Sequence, residues 1–270
     1  MPRRPRAAAR DRLLRPLPKP LPRGGGRLIQ TLLAAFAALL LGWAWASWLG
    51  AWRWRRGSAR VEARLTAAAP AAQPPPFQEA ELAGLPEPVA RYLGRVLADG
   101  EPVPRLVQVA WHGAFNMGGP GKDGWKHFTA RQLFVPGAPG FVWDARIAMA
   151  RGVPVRVRDA FADGTGSMHG AVLGLVTVVR SEGSPELATA ALQRYLGEAV
   201  WFPFALLPRH GVEWTAIDGS SARATLRAGE TAVSLEFRFD ADGLVASVFT
   251  PARAYDDGKN PPRQIPWQAR

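Results

Sequence analysis

The sequence predicts an α+β protein in which an N-terminal transmembrane helix precedes a curved antiparallel sheet of about nine strands with one inserted helix. Three observations predict this class. An uncharged apolar run fills residues 28–52, apolar and polar residues alternate through most of the chain after Pro104, and residues 185–200 have a helical period instead. Because the turns between the alternating segments are short, neighbouring strands are expected to be antiparallel.

The excess positive charge lies in the first quarter of the chain. Of 34 Lys and Arg and 22 Asp and Glu residues, 14 basic and 2 acidic ones fall in residues 1–74, which accounts for the whole net charge of +12. Residues 75–270 hold 20 of each sign. A basic surface on a folded domain would indicate nucleic acid, whereas basic residues on both sides of an apolar run indicate a membrane. We therefore expect the lipid bilayer as a partner and no nucleic acid.

Residues 27–54 are predicted to be the transmembrane helix. Its 25 uncharged residues would extend roughly 37 Å at ~1.5 Å per residue, more than the ~30 Å of a hydrocarbon core. A buried core helix is the alternative, but this run has no polar face along its length. Tryptophans favour the membrane interface, and they cluster at the far end of the run: Trp43, Trp45, Trp48, Trp52 and Trp54.

The flanking charges predict the topology. Nine basic residues precede the run and five follow it, which favours a cytoplasmic N-terminus. We expect a single-pass protein of the cytoplasmic membrane with its C-terminal domain extracytoplasmic. A signal peptide cleaved after Ala46 is the alternative, because residues 44–46 (AWA) have the small-x-small pattern. The bulky and positive residues that follow at once, Trp48, Trp52 and Arg53, favour an uncleaved anchor.

The remaining chain divides into three predicted parts. Residues 1–26 are a disordered basic arm, because their Pro-Arg repeats and Gly run cannot bury a core. Residues 55–80 are an Ala/Pro-rich linker, extended and semi-rigid, which would hold the next domain away from the bilayer. Residues 81–270 form the extracytoplasmic β domain, which is large enough for a core of its own.

Two helices are predicted in this domain, at about residues 88–98 and 185–200. The first has an apolar stripe at helical spacing, and the second has Ser184 as N-cap with Pro185 at the first helical position. Nine segments with a period of two are predicted strands: Leu106 to Phe115, Trp125 to Val135, Phe141 to Met149, Val153 to Phe161, Met168 to Val179, Val212 to Ile217, Ala222 to Leu226, Val233 to Phe239, and Leu244 to Phe249.

Two segments, residues 140–147 (GFVWDARI) and 198–208 (EAVWFPFALLP), resemble an uncharacterised bacterial family of membrane-anchored proteins. The resemblance covers about residues 82–267 and implies no activity, since the family is known only as a domain of unknown function. Similar proteins continue through further strands after Trp267, which implies an unpaired sheet edge here. The strand–helix–strand order is also similar to lipoprotein carriers of the LolA/LolB type, in which a curved sheet cups a helix over an apolar cavity.

Motifs for metal, cofactor or nucleophile chemistry are missing from the sequence. The chain has no Cys, and its four His lack the spacing of a zinc site. Gly121-Lys122 is followed by Asp123, where a phosphate loop requires Ser or Thr. We therefore predict no catalytic residues, no metal and no cofactor, and we do not expect an enzyme.

Charged residues inside apolar strings, with the aromatic residues beside them, are the candidate ligand-binding residues. One interpretation is an ion pair of Asp144 or Asp159 with Arg146 or Arg158. Others are a polar cluster that faces a ligand in an apolar cup, or acid–base chemistry by the carboxylates. The candidates are Trp143, Asp144, Arg158, Asp159, Glu198, Trp201 and Phe202.

The predicted function is a membrane-anchored extracytoplasmic domain that binds an apolar or lipid-like molecule, or a partner in the cell envelope. One alternative is a hydrolase that uses Asp144, Asp159 and Glu198. The other is a purely structural envelope module. A continuous apolar cavity would favour binding, a filled core a structural role, and converging carboxylates catalysis.

Overall fold

The computed structural model describes residues 24–118, 121–255 and 263–269. Most of the predicted basic arm, residues 1–26, therefore lies outside the described residues. The chain divides into two compact units, residues 1–45 and residues 46–270. The first helix begins in one unit and ends in the other.

Helix α1 spans Gly24–Ala68. It is long and apolar enough to cross a membrane, with a mean hydropathy of 1.8 in its most apolar window and no part of that window buried. The helix continues 14 residues past Trp54, so the first half of the predicted linker, residues 55–68, is helical. Arg, Ala, Glu and Leu in this stretch favour a helix, and the helix ends just before Pro70, which disfavours helical backbone in the residue before it.

The segment after α1 is held against the folded body. Gln73 Nε2 donates to the carbonyl oxygen of Val103 at 2.8 Å, and Arg209 Nη1 donates to that of Pro75 at 3.0 Å. The side chain of Phe77 is only 1% exposed and belongs to the core. Residues 70–78 therefore form part of the border of the domain.

Helix α2, Glu87–Val96, and helix α3, Pro185–Glu198, lie close to their predicted spans. The six strands before α3 form one antiparallel sheet, and the five after it form a second, in the order β11-β10-β9-β8-β7. The first sheet consists of β1 Val107–Asn116, β2 Trp125–Val135, β3 Gly140–Ala150, β4 Val153–Ala162, β5 Thr165–Val172 and β6 Val176–Glu182. The second consists of β7 Val212–Asp218, β8 Ser221–Ala228, β9 Thr231–Phe239, β10 Val245–Tyr255 and β11 Arg263–Ala269.

The α+β class and the antiparallel pairing are confirmed, and the structure refines the strand count. The predicted strand at 168–179 is two strands, β5 and β6, because the chain turns at Leu173 and Gly174, both with positive φ. Strand β11 pairs with β10 and was not predicted. The strands also form two sheets and not one, with β1–β6 before α3 in the first and β7–β11 after it in the second.

Helix α3 lies between the sheets and contacts β4 and β5 of the first and β9 and β10 of the second. Ser184 Oγ accepts from the backbone N–H of Leu187 at 3.1 Å, which caps the helix as predicted. The apolar segment after α3 completes the same core: the Phe202 ring lies 4.1 Å from that of Phe134 and 5.7 Å from that of Tyr195.

The C-terminal half of α1 covers the other face of the first sheet. Leu65 packs with Val135, Val142 and Ala160. Two glycines permit this close approach. A Cβ on Gly50 would collide with the carbonyl oxygen of Leu173, and one on Gly57 would lie 2.8 Å from Arg158 Nη1.

Three hairpin turns of the first sheet, β1–β2, β3–β4 and β5–β6, lie at one end, which we call the proximal end. The helix first meets the sheet here, at the contact of Gly50 with the β5–β6 turn. It leaves at the opposite end, where Arg64 pairs with Asp163 of the β4–β5 turn at 2.8 Å.

Candidate functional site

The seven predicted site residues are divided between the two faces of the first sheet. Neighbouring side chains of a strand point to opposite faces. Trp143 of β3 and Asp159 of β4 are cross-strand partners on the face toward α3. Asp144 and Arg158 are partners on the face toward α1.

The outer cluster, toward α1, consists of Trp54, Ser58, Asp144, Arg158 and His169. Trp54 Nε1 donates to Asp144 Oδ1 at 2.8 Å, and Ser58 Oγ donates to Asp144 Oδ2 at 2.5 Å. Arg158 Nη1 donates to Ser58 Oγ at 2.9 Å. Both carboxylate oxygens of Asp144 therefore bind side chains of α1, and Ser58 links the carboxylate to the guanidinium.

His169 borders the guanidinium of Arg158. Its Nδ1 lies 3.4 Å from Arg158 Nη2, and its Nε2 lies 3.2 Å from Thr177 Oγ1. An arginine only donates, so Nδ1 accepts and Nε2 carries the proton. Burial, together with the charges of Arg158 and Arg180, lowers the pKa of His169. The ring is thus neutral at physiological pH.

The inner cluster, toward α3, centres on Arg194. Its Nη1 lies 2.6 Å from Asp159 Oδ2, and its Nε lies 2.8 Å from Glu198 Oε1. Gln132 Nε2 donates to Glu198 Oε2 at 2.7 Å. The other amide atom of Gln132, Oε1, accepts from Trp111 Nε1 at 2.9 Å. Burial opposes the charge on Arg194, but Glu198 and Asp159 outweigh it and raise its pKa. This closed network ties α3 to the first sheet.

The two aspartates do not form the ion pairs with Arg146 or Arg158 that the sequence suggested. Asp159 pairs with Arg194 rather than with Arg146 or Arg158. Asp144 meets Arg158 through the hydroxyl of Ser58. The sequence could not identify these partners, because Arg194 is 35 residues from Asp159 and Ser58 is 86 residues from Asp144.

The aromatic candidates occupy different environments. Trp143 and Phe202 belong to the core, with 8% and 2% of their surface exposed. The guanidinium of Arg194 stacks 5.1 Å from the Trp143 ring. Trp201 is 50% exposed, and its ring lies 4.5 Å from that of Trp111.

The three carboxylates of the hydrolase alternative do not converge on one cleft. Asp159 and Glu198 share the guanidinium of Arg194, whereas Asp144 lies on the opposite face of the sheet under α1. Among the residues that the structure describes, no group of three or more His, Asp or Glu is placed to hold a metal ion.

Two clefts flank the sheet-bound half of α1. The first, of about 380 Å³, is called the arginine cleft here. Its charged and polar lining is Arg55, Ser58 and Glu62 of α1 with Thr129, Arg131, Asp144, Arg146 and Arg156 of β2–β4. The second, of about 400 Å³, is lined on its charged side by Arg53, Arg60, Arg158, His169, Arg180 and Glu182. Positive charge dominates in both.

The arginine cleft contains a pair of like charges side by side. Arg146 and Arg156 are directly opposite each other on β3 and β4, an arrangement that is unfavourable without a counter-charge. The Nε of Arg156 is buried and has no hydrogen-bond partner among the described residues. Burial lowers the pKa of Arg156, Asp144 opposes that change, and Arg146 and Arg55 add to it.

Several residues of this region are not among the candidates predicted from sequence. Trp54 and Ser58 fall in or beside the predicted linker, and Arg156 is one Arg among several in the strands. A signal was present in each case. Trp54, Ser58, Val61 and Leu65 recur at helical spacing, which indicates that α1 continues. The period of two in β4 places Arg156 on the same face as the candidate Arg158 and on the opposite face from Asp159.

Comparison with known proteins places the folded body in a family. A family model described as a family of unknown function, DUF6544, matches residues 75–270. The matched region contains both sheets, including the strands that carry the inner and outer clusters, and does not include α1. No curated protein and no solved structure shows significant similarity to the chain. This protein belongs to the DUF6544 family of unknown function.

Proposed function

We propose that this protein is anchored in the cytoplasmic membrane by α1, with its N-terminus inside, and that its extracytoplasmic domain binds the anionic headgroup of a lipid in the arginine cleft. The observation that carries the proposal is the adjacent pair Arg146 and Arg156, with the buried Nε of Arg156 lacking a partner. An anion between the two guanidinium groups would relieve their repulsion and satisfy that nitrogen.

A phosphate suits these residues chemically. Guanidinium groups present several donors in a plane and bind phosphate oxygens in a bidentate manner. Arg55 and Arg131 line the same cleft and extend the positive field around it. Asp144 offsets part of this positive charge, but its two oxygens accept hydrogen bonds from Trp54 and Ser58.

The position of the cleft supports a lipid as the source of the anion. Arg55 lies three residues after Trp52 and seven after Trp48, whose rings are exposed at the end of the apolar run. Indole rings favour the headgroup level of a bilayer, so Arg55 would lie at that level if α1 spans the membrane. This proposal keeps the lipid-like ligand predicted from sequence, but it moves the contact from an apolar cup between the sheets to the outer face of the first sheet.

Calorimetric titration of the full chain in a neutral detergent tests the proposal. Short-chain phosphatidylglycerol should bind, and phosphatidylcholine with the same acyl chains should bind much more weakly. Arg156→Gln should weaken phosphatidylglycerol binding by at least about tenfold, because a hydrogen bond to a charged group contributes about 1.5–3 kcal/mol. Inorganic phosphate in a separate titration distinguishes a free anion from a lipid headgroup.

Arg238→Gln is the matched control, since Arg238 is exposed on β9 of the second sheet. It should leave phosphatidylglycerol binding unchanged. Equal binding by wild type and Arg156→Gln would contradict the proposal and favour the structural envelope module. For the topology, a reporter enzyme that works only outside the cytoplasm should be active when fused after Gly100, and an active cytoplasmic reporter at that point would contradict it.

A further inference from the structure

The exposed apolar side chains outside α1 are concentrated at the proximal end of the first sheet. Nine large apolar side chains of the described residues are exposed outside α1, and six of them belong to the β1–β2 and β5–β6 hairpins. They are Phe115, Met117, Trp125, Val176, Val178 and Val179, with 43% to 65% of their surface exposed.

From this concentration we propose that the proximal end of the first sheet is itself a membrane-binding surface, with the β1–β2 and β5–β6 hairpins seated in the bilayer interface beside α1. The inference rests on the proposed function in one respect, that α1 is embedded in a membrane. It differs from the sequence expectation, in which an extended linker holds the domain away from the bilayer.

The contact between α1 and the β5–β6 turn sets the height of this surface. Gly50 and Gly174 touch so closely that a Cβ on Gly174 would lie 2.7 Å from the Gly50 carbonyl oxygen. Gly50 precedes the first charged residue after the apolar run, Arg53, by three positions, about 4.5 Å along a helix. The turn is therefore level with the end of the apolar run, which is where a bilayer interface would lie.

The length of strand that carries the exposed apolar residues matches the depth of a bilayer interface. Val176 to Val179 cover the first four positions of β6, about 10 Å of strand. Apolar groups of interfacial segments are buried about 5–10 Å into the boundary between headgroups and acyl chains. Arg151, in the β3–β4 turn, and Lys122, in the β1–β2 loop, are exposed at the same end and suit anionic headgroups.

The exposed edges of the first sheet are a second reason to expect that its proximal end is covered by a bilayer. Strands β1 and β6 are the two edges of the first sheet, and exposed apolar edges in water pair with other chains. Phe115 is fixed from behind by Phe128 and Trp143, with ring centroids 6.4 Å and 6.5 Å away, so the hairpin presents it rigidly. A bilayer would cover both hairpins at once, because they lie at the same end of one sheet.

Single-cysteine spin labels test the inference cleanly, since the chain has no natural Cys. The full chain is reconstituted in vesicles of phosphatidylcholine with phosphatidylglycerol, and each label is tested for collisions with dissolved oxygen and with an aqueous nickel chelate. Met117→Cys and Val176→Cys report on the two hairpins. Leu39→Cys reports on the anchor. Thr165→Cys reports on the opposite end of β5, about 25 Å of strand away from the β5–β6 turn.

We expect the labels at 39, 117 and 176 to be accessible to oxygen and shielded from nickel, with the label at 165 open to nickel. Labels at 117 and 176 that are open to nickel, with the label at 39 shielded, would overturn the inference and leave the anchor standing. A label at 39 open to nickel would overturn both the membrane-binding surface and the membrane anchor. Spin–spin broadening at 117 and 176 that disappears on dilution in lipid would identify a second copy as the occupant, and would also overturn the inference.

Discussion

At the scale of single residues, two carboxylates that look alike in the sequence have different roles. Asp144 binds α1 through Trp54 and Ser58, whereas Asp159 binds α3 through Arg194. Alternation within β3 and β4 does not predict that they face opposite sides, because the register between the two strands decides this and a bulge shifts that register between Ala148 and Ala150. Their partners could not be predicted, because each comes from a helix far away in the sequence.

Replacing Asp144 tests its role in holding α1. Asp144→Ala removes the acceptor of two hydrogen bonds to a charged group, so we expect the free energy of unfolding to fall by about 3–6 kcal/mol. The measurement is denaturant unfolding of the full chain in detergent. Arg64→Ala is the control: its ion pair with Asp163 has both side chains about half exposed, at 52% and 51%. That change should lower stability by less than ~1 kcal/mol, and equal effects would contradict the assigned role.

His169 gives the outer cluster a dependence on pH. Because its pKa is lowered in the folded state, the folded protein disfavours the proton that the unfolded chain takes up near pH 6.5. Stability should be complete above that pH and should fall as the pH drops below it. His169→Gln should reduce this slope, which denaturant midpoints at pH 7.5 and pH 5 would measure. His210, whose pKa is also lowered, should maintain part of the slope. An unchanged slope would show that His169 does not titrate against Arg158.

At the scale of elements, the apolar periodicity of the sequence predicted most helix and strand boundaries. It failed where contacts with the rest of the fold determine the structure. The two helices of the domain and most strands lie near their predicted positions because their apolar periods are regular. Residues 55–68 of α1 fall in the predicted linker because the Ala/Pro-rich run at 67–76 suggested an extended spacer, whereas the helix continues up to Ala68. Strand periodicity also contains no information on which strands share a sheet, so one curved sheet was expected where two exist.

Gly50 tests the docking of α1 on the first sheet. In Gly50→Ala the added methyl group would collide with the backbone of Leu173, which cannot move as a flexible side chain can. We expect the second half of α1 to loosen, with a stability loss of about 1–3 kcal/mol from overpacking and faster tryptic cleavage after Arg60 and Arg64.

The control for this test lies in the same helix. A Cβ on Gly42 would have no atom within 4 Å, so Gly42→Ala should leave the cleavage rate unchanged. If both variants were cleaved at the wild-type rate, α1 would not depend on the close approach at Gly50.

At the scale of the whole molecule, the positive charge of the folded body is concentrated along the C-terminal part of α1. The same helix borders both clefts, so their positive charge lies beside the segment that would leave the bilayer. The sequence predicted a helix of membrane length from composition alone, and that helix is present. It could not predict the cleft, which forms only when Arg55 of α1 meets Arg146 and Arg156 across two strands.

Native mass spectrometry of the full chain, released from nanodiscs of mixed phosphatidylglycerol and phosphatidylcholine, tests the central claim most directly. Wild-type protein should retain phosphatidylglycerol in preference to phosphatidylcholine. The double variant Arg146→Gln with Arg156→Gln should lose that preference, while Arg238→Gln should keep it. Retention of both lipids in proportion to their abundance by wild type, or an unchanged preference in the double variant, would contradict the assignment of the arginine cleft as a site for an anionic lipid headgroup.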